Sequence, residues 1–335
     1  EYLELYNRTN KVISLNGCKI FDNTSSATLP NVNILPNQYI ILVNSSVLAD
    51  FSTYNNVVGV PSLPSLNNSG ERLTLRSNDG KLIFTVTYSD NWYNDAAKKE
   101  GGWALEMIDT DNPCGETGNW IASNNSNGGT PTQQNSVKEA KPDNTVPKLI
   151  RVDASNNQTI IVNFNEKLDS LSAINATYSI DKGVVVQNKT LISPDFKQIV
   201  LTVSPLLQTR EKYRLTVQSI TDCSGNLIGE SNFADFGVPE QADSTDIILN
   251  EVLFNPRTGG SDFVELYNQS DKYINLKDWS LARIVNNAID SKSIITTDNY
   301  VLAPKSYVAI STDILNIQSN YPLSEGNPFL QANSM

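Results

Sequence analysis

At 335 residues the chain is long enough for two or three domains, and it contains no apolar run of the roughly 20 residues that span a membrane as a helix. Its net charge of −11 disfavours nucleic-acid backbones and anionic membranes as partners, because both attract basic surfaces. Histidine is absent, which excludes Ser-His-Asp and Cys-His nucleophilic sites and removes the commonest transition-metal ligand.

Short β-strands are predicted throughout the first region, where helical periodicity is nearly absent. Alternating runs of β-branched and aromatic residues are bounded by Asn, Asp, Gly, Pro or Ser. These runs cover residues 2–6, 11–15, 39–43, 72–77 and 82–88. The turn sequences Asn16-Gly17 and Asn78-Asp79-Gly80 lie between such runs. This spacing is typical of sandwiches of antiparallel strands.

The start of the chain recurs near its end. Residues 2–20 read YLELYNRTNKVISLNGCKI and align without a gap with residues 263–281, which read FVELYNQSDKYINLKDWSL. A repeat of this length predicts two copies of one domain. Residues 247–256 precede the second copy only, and a long continuation follows the shared part in the first copy only. We therefore expect the first copy to lack its first strand and the second to lack its end, as in a fragment of a longer repeat protein.

Two polar segments separate the predicted domains. Residues 123–147 are almost free of apolar side chains and predict a linker or an extended tail, and residues 237–246 form a shorter break. Seven candidate strands lie between them, which is the number in one immunoglobulin-like sandwich. The predicted fold class is all-β, as tandem immunoglobulin-like β-sandwiches. The predicted boundaries are a first domain at 1–137, a linker at 138–146, a second domain at 147–238 and a partial third domain at 246–335.

The outer regions resemble the lamin tail domain, an immunoglobulin-like fold of nuclear lamins and many bacterial surface proteins. The third region carries LNEVLFNP from Leu249, DFVELYN from Asp262 and INLKDWSL from Ile274. The first region carries ELYN from Glu4, and then TYSDNWYND, GGWALEMID and NPCGETGNW in the form common in Bacteroidota-type proteins. This resemblance implies an immunoglobulin-like fold and a cell-surface location.

The middle region resembles the bacterial Ig-like domain family named after the S-layer protein SbsA. The matching motifs are VNFNEKLD from Val162 and DCSGNLI from Asp222. Neither this family nor the lamin tail domain implies a set of catalytic residues. We therefore expect no catalytic and no cofactor-binding residues in this chain.

Two acidic clusters are the candidate metal positions. Asp109 and Asp111 form one cluster, and Asp243 and Asp246 form the other; both offer the oxygen ligands that calcium prefers. Neither cluster matches an EF-hand loop, and Asp is expected at turns without a metal. We expect no cofactor, with calcium at these four carboxylates as the alternative.

Several other side chains allow more than one interpretation. Glu4 and Glu265 recur at the same strand position, either as a shared ligand site or as strand glutamates that face solvent or satisfy the amides of a neighbouring loop. The tryptophans of the first region are expected to pack in the core or to pin the tail, rather than to form a carbohydrate platform. They are Trp92, Trp103 and Trp120.

The three cysteines also leave alternatives open. A bond between Cys18 and Cys114 would staple one domain, and a bond between Cys114 and Cys223 would lock two domains together. Three separate thiols are the third alternative. Cys18 aligns with Trp279 of the second copy, so we expect it to be buried.

The predicted function is a non-catalytic structural or adhesive module of an extracellular bacterial protein, attached to the outer membrane and assembling in tandem or as a filament. The expected partners are cell-surface components and other chains, or copies of this chain, joined by β-strand addition. We expect no nucleic acid partner and no membrane span. The alternatives are accessory domains flanking a secreted hydrolase or nuclease, and a carbohydrate-binding module.

Overall fold

The computed structural model describes residues 1–324 and 326–335, and nearly all of its regular elements are short β-strands. This confirms the all-β prediction. The chain divides into two compact units. The first unit comprises Glu1–Thr145 with the short segments Ser193–Asp195 and Cys223–Asn226, and the second comprises Val146–Ile192, Phe196–Asp222 and Leu227–Met335. No helix in the described residues is long and apolar enough to cross a membrane.

The first unit contains eleven strands, one short α-helix and two 3-10 turns. The strands are β1 (Leu3–Tyr6), β2 (Ile13–Ser14), β3 (Lys19–Phe21), β4 (Ser26–Thr28), β5 (Asn33–Ile34), β6 (Tyr39–Asn44), β7 (Val57–Val60), β8 (Gly70–Arg76), β9 (Leu82–Ser89), β10 (Leu105–Met107) and β11 (Trp120–Ala122). The helix is α1 (Ala96–Lys99), and the 3-10 turns are Ser45–Phe51 and Asp90–Tyr93.

The main sheets of this unit have the strand orders β1-β6-β7 and β4-β3-β8-β9. Strand β6 lies centrally and is buried on both faces, which explains its continuous apolar run from Ile40 to Val43. The core between the sheets includes Leu15, Ile20, Leu42 and the thiol of Cys18. The expected burial of Cys18 is thus confirmed.

The second unit begins with a sandwich of seven strands. They are β12 (Leu149–Ala154), β13 (Thr159–Phe164), β14 (Thr177–Ile180), β15 (Val185–Leu191), β16 (Gln198–Ser204), β17 (Tyr213–Gln218) and β18 (Phe233–Phe236), with helix α2 at Ser170–Asn175. The sheet orders are β12-β13-β16-β15 and β14-β17-β18, around one apolar core. The predicted number of strands is right, but two predicted runs merge into β15, which carries a bulge after Val186. Strand β18 has only four residues, and its Phe233 is exposed while Phe236 is buried, so its alternation signal is weak.

Eight further strands complete the second unit. They are β19 (Ile247–Leu253), β20 (Phe263–Asn268), β21 (Ile274–Asn275), β22 (Ser280–Val285), β23 (Ala288–Ile294), β24 (Val301–Leu302), β25 (Tyr307–Ser311) and β26 (Phe329–Gln331), with helix α3 at Ile314–Asn320 and a 3-10 turn at Pro322–Ser324. Their main sheet has the order β19-β20-β25-β26. The trio β20-β25-β26 repeats β1-β6-β7, including the parallel last pair. The repeated sequence is therefore also a repeated topology.

Candidate functional site

A buried glutamate fastens the segment that follows β11 in the first unit. Glu106 lies at the centre of β10 and is 5% exposed. Its Oε1 accepts a hydrogen bond from the hydroxyl of Thr130 at 2.7 Å, and its Oε2 accepts from both the backbone N–H and the hydroxyl of Ser136 at 2.7 Å. Both carboxylate oxygens are thus bonded to residues 128–141, which we call the anchored segment. Such charge-assisted bonds hold an otherwise polar, extended chain in place.

Glu4 on β1 contacts the same anchored segment. Its Oε2 accepts a hydrogen bond from the backbone N–H of Thr132 at 2.5 Å. Burial raises the pKa of Glu4 to about 7, the charge of Glu106 adds to the rise, and the Thr132 N–H opposes it. The sequence offered either a shared ligand site or a glutamate that faces solvent or satisfies the amide of a neighbouring loop, and for Glu4 the structure shows the loop amide.

Asp109 anchors the far end of this segment. Its Oδ1 accepts from the backbone N–H of Asp111 at 2.8 Å, and its Oδ2 accepts from the backbone N–H of Lys141 at 2.7 Å. Asn119 closes the same loop by donating to the carbonyl oxygens of Asp109 and Asn112, each at 2.7 Å. These are turn contacts that form without a metal. Calcium at Asp109 and Asp111 remains a prediction.

A lysine pairs with both carboxylates of the second acidic cluster. The ammonium of Lys272 lies 2.5 Å from Asp243 and 2.8 Å from Asp246. The backbone N–H of Asp243 and then this ammonium lower the pKa of Asp246. A lysine side chain therefore supplies the charge that a calcium ion would bring. Calcium at this pair likewise remains a prediction.

One of the three cysteine alternatives is realised. Cys114 and Cys223 form a disulfide within the first unit, across 109 residues of sequence and with a Cα–Cα distance of 6.3 Å. Cys18 is a buried free thiol, and burial raises its pKa. A closed loop of this length restricts the unfolded chain and so stabilises the folded one.

The tryptophans of the first unit differ in burial. Trp92 is buried and stacks on Trp120 with a centroid distance of 6.3 Å. Trp103 lies under the ammonium of Lys98, which is 4.6 Å from its ring centroid. Trp103 and Trp120 are only half-buried, so burial in the core is confirmed for Trp92, and pinning of the tail by the other two stays a prediction.

Sequence reasoning missed a buried carboxylate in the second unit. Asp153 on β12 is 1% exposed and accepts hydrogen bonds from Arg151 Nε at 2.6 Å, Asn163 Nδ2 at 2.9 Å and the backbone N–H of Val301 at 3.0 Å. Burial raises the pKa of Asp153, and the Arg151 guanidinium opposes the rise. The guanidinium also lies 4.9 Å from the ring centroid of Tyr300. The available signal was an Arg151-x-Asp153 pair within a strand whose other residues are apolar, LIRVDA.

The asparagine of the repeated ELYN motif was also missed. Asn7 is 2% exposed, and its Nδ2 donates to the carbonyl oxygens of Lys11 at 2.7 Å and Ile34 at 3.0 Å. Asn268 makes the equivalent bonds to Lys272 at 2.7 Å and Leu302 at 3.2 Å. The signal was present in the recurrence of this asparagine in both copies.

Comparison with known families agrees with this architecture. The profile of the Lamin Tail Domain matches residues 1–90 and 240–328, and that of a bacterial Ig-like domain matches residues 134–237. Both predicted resemblances are confirmed in the predicted order. No curated protein matches the chain significantly.

Two solved structures share limited similarity with the chain. The N-terminal part of the bacterial S-layer protein SbsC is 15% identical with a TM-score of 0.26, covering 48% of this chain and 45% of that one. The S-layer protein rSbsC(31-844) is 12% identical with a TM-score of 0.26, covering 50% of this chain and 32% of that one. The chain thus spans less than half the length of either.

Proposed function

The chain belongs to the lamin tail domain family, and from this premise we propose that it is a non-catalytic structural module of an extracellular, cell-surface bacterial protein. The observation that carries the proposal is how its buried acidic side chains are used. Both carboxylate oxygens of Glu106, and both of Asp153, accept hydrogen bonds from the chain's own donors. A buried carboxylate satisfied in this way stabilises the fold, whereas a general acid or base needs an oxygen within reach of substrate.

The contacts around Asp153 also suit a structural role. Within the second unit they join β12 of the sandwich to the chain just before and at the start of β24. Gly237 packs so closely on Tyr273 that an added Cβ would lie 2.3 Å from its ring, and the backbone N–H of Glu240 donates to the carbonyl of Tyr273 at 2.8 Å. The two apolar cores of this unit are therefore connected by satisfied polar groups and close packing. We expect such a connection to resist bending and to transmit force.

An extracellular location is supported by the disulfide between Cys114 and Cys223. Disulfides form and persist in oxidising compartments and are rare in the cytosol. Adhesion, attachment to the outer membrane and assembly by strand addition are finer proposals of the same kind. The alternative is that these domains are accessory parts of a longer protein that also carries a secreted hydrolase.

Single-molecule pulling on the 335-residue chain tests the structural role. We expect Asp153→Ala to lower the force at which the second unit unfolds and to separate its two cores into distinct events. Losing one partner of a buried charged network should lower the free energy of unfolding by about 2 to 4 kcal/mol. Asp298→Ala is the control, because this exposed aspartate lies nearby and its side chain has no bond in the described residues. Unfolding of Asp153→Ala at the parental force would contradict the proposal.

Location and catalysis need separate measurements. An antibody against the chain should label intact cells of the source bacterium as strongly as permeabilised cells. The purified chain should give only background with esterase, phosphatase, nuclease and glycosidase substrates. Turnover that one point substitution abolishes, for example Glu4→Gln, would make the chain an enzyme and overturn the non-catalytic assignment.

A further inference from the structure

A cavity of about 510 Å³ lies in the second unit, between the segment 240–244 and strands β19 and β21. Its volume is in the range of small-molecule binding sites. The apolar residues that line it include Ile247, Ile274 and Trp279. The polar residues that line it include Gln241 and Ser244.

The indole of Trp279 is not required by the fold at this position. In the first copy the aligned residue is Cys18, which is buried in the core and fills that place without an aromatic ring. Trp279 instead packs against the core of the second copy while remaining partly exposed and lining the cavity. A partly exposed aromatic ring beside Ile247 and Ile274 can pack against the apolar face of a ligand.

The polar residues that line the cavity can form hydrogen bonds with a ligand. In the described part of the chain, the side chains of Gln241 and Ser244 have no hydrogen-bond partner, and both residues are exposed. They offer an amide, which donates and accepts, and a hydroxyl, which does the same. A ligand with several hydroxyl groups and an apolar C–H face could bond to Gln241 and Ser244 and pack on Trp279.

The charges around the cavity favour a neutral ligand over a charged one. Glu240 is paired with Arg210 at 3.2 Å, and Asp243 is paired with Lys272 at 2.5 Å. Arg210 offsets the charge of Glu240, and Lys272 is shared between Asp243 and Asp246, so these ion pairs weaken the attraction for a cationic ligand, while the net charge of −11 repels anions. We propose that this cavity binds a neutral saccharide residue, which stacks on Trp279 and donates its hydroxyl hydrogens to Gln241 and Ser244.

Calorimetric titration of the full chain with a panel of neutral sugars tests this site. The panel comprises glucose, galactose, mannose, N-acetylglucosamine, cellobiose and lactose, and choline serves as a cationic probe. We expect at least one sugar to bind and choline not to bind. Trp279→Ala should weaken sugar binding by about tenfold or more, while Trp279→Phe should retain part of the affinity. Trp103→Ala is the matched control, because this half-buried tryptophan lies in the first unit and should leave the affinity unchanged.

Two further variants keep the test decisive if Trp279→Ala does not fold. Gln241→Ala and Ser244→Ala alter exposed side chains only and should each weaken the same sugar severalfold. The proposal is overturned if no sugar of the panel binds up to its solubility, or if binding is equal in all variants. Binding of choline that Trp279→Ala abolishes, without sugar binding, would overturn it in favour of a cation site. Its failure leaves the structural role untouched, because that role rests on Asp153 and Glu106.

Discussion

The two copies of the lamin tail domain place the same glutamate in different surroundings. Glu4 accepts the backbone N–H of Thr132 from the anchored segment, and the charge of Glu106 acts on it. Glu265 accepts instead from the side chain of Asn250 on the adjacent strand β19, at 2.7 Å. Each glutamate thus bonds to whichever element lies beside its strand. A repeated residue therefore shows that a strand position is repeated, and the neighbouring element decides what the residue does.

The asparagine three residues further on behaves in the opposite way. Asn7 and Asn268 are both buried, and each donates to the carbonyl oxygen four residues later at 2.7 Å. The tyrosine before each also repeats its contact, since Tyr6 stacks on Tyr39 at 4.5 Å and Tyr267 on Tyr307 at 4.4 Å. These contacts lie inside the repeated sequence. They are therefore the part of the motif that the fold itself requires.

The largest expected effect tests the asparagine contacts that both copies share. Asn7→Ala and Asn268→Ala should each lower the free energy of unfolding of their own unit by about 2 to 4 kcal/mol, because each leaves buried carbonyl oxygens without a donor. Urea unfolding followed by tryptophan fluorescence measures the loss. Asn16→Ala is the control, since Asn16 is exposed in a turn of the first copy. A clearly unequal loss in the two copies would break the equivalence of the two asparagines.

The next effect tests the anchored segment, which lies beside Glu4 in the first copy. Glu106→Ala removes the acceptor for Thr130 and Ser136, so the anchored segment should detach from β10. We expect a loss of about 2 to 3 kcal/mol in the first unit. Limited proteolysis within residues 123–147 should become several-fold faster. Glu139→Ala, at an exposed glutamate of the same segment, should leave the cleavage rate unchanged; equal rates in both variants would show that Glu106 does not hold the segment.

Much of the fold could be predicted because the strands have clear alternation or continuous apolar runs. The repeat and the polar segments predicted three regions, and the motifs predicted their families. The anchored segment shows where sequence reasoning stops. It lies within residues 123–147, whose composition predicts either a linker or an extended tail packed on a surface and cannot decide between them. The deciding contacts come from Glu106 and Asp109, which are distant in sequence from their partners at Ser136 and Lys141.

The sites were harder to predict than the fold. The acidic cluster of Asp243 and Asp246 predicts a calcium site, and the sequence does not reveal that Lys272 pairs with both carboxylates. The sequence around Asp153 does not reveal its bond to Val301, because that partner is in another region of the chain. The cavity beside Trp279 depends on the path of residues 240–244, which no local pattern specifies. Long-range juxtaposition, and not residue type, decides each of these cases.

The smallest expected effect sharpens the contrast between Glu4 and Glu265. Burial raises the pKa of Glu4 to about 7 from an ordinary value of 4.5 in the unfolded chain. Between these two pH values the folded state holds a proton that the unfolded state has released. The stabilising contribution is therefore complete below about pH 4.5 and is lost as the pH rises towards 7. We expect the first unit to lose about 1 to 2 kcal/mol across this window, after allowance for the exposed part of the side chain.

Urea unfolding at several pH values between 4 and 8 measures this loss, with Glu4→Gln as the informative variant. Glutamine is neutral at every pH, so the loss between pH 4.5 and 7 should disappear from the first unit, and the variant should be the more stable protein at pH 8. Glu265→Gln is the matched control at the repeated position, and it should leave the pH profile of the first unit unchanged because it lies in the second unit. If Glu4→Gln retains the full pH dependence, another group causes it. The difference in surroundings between the two glutamates would then have no energetic consequence, because the Thr132 N–H compensates fully for burial beside Glu106.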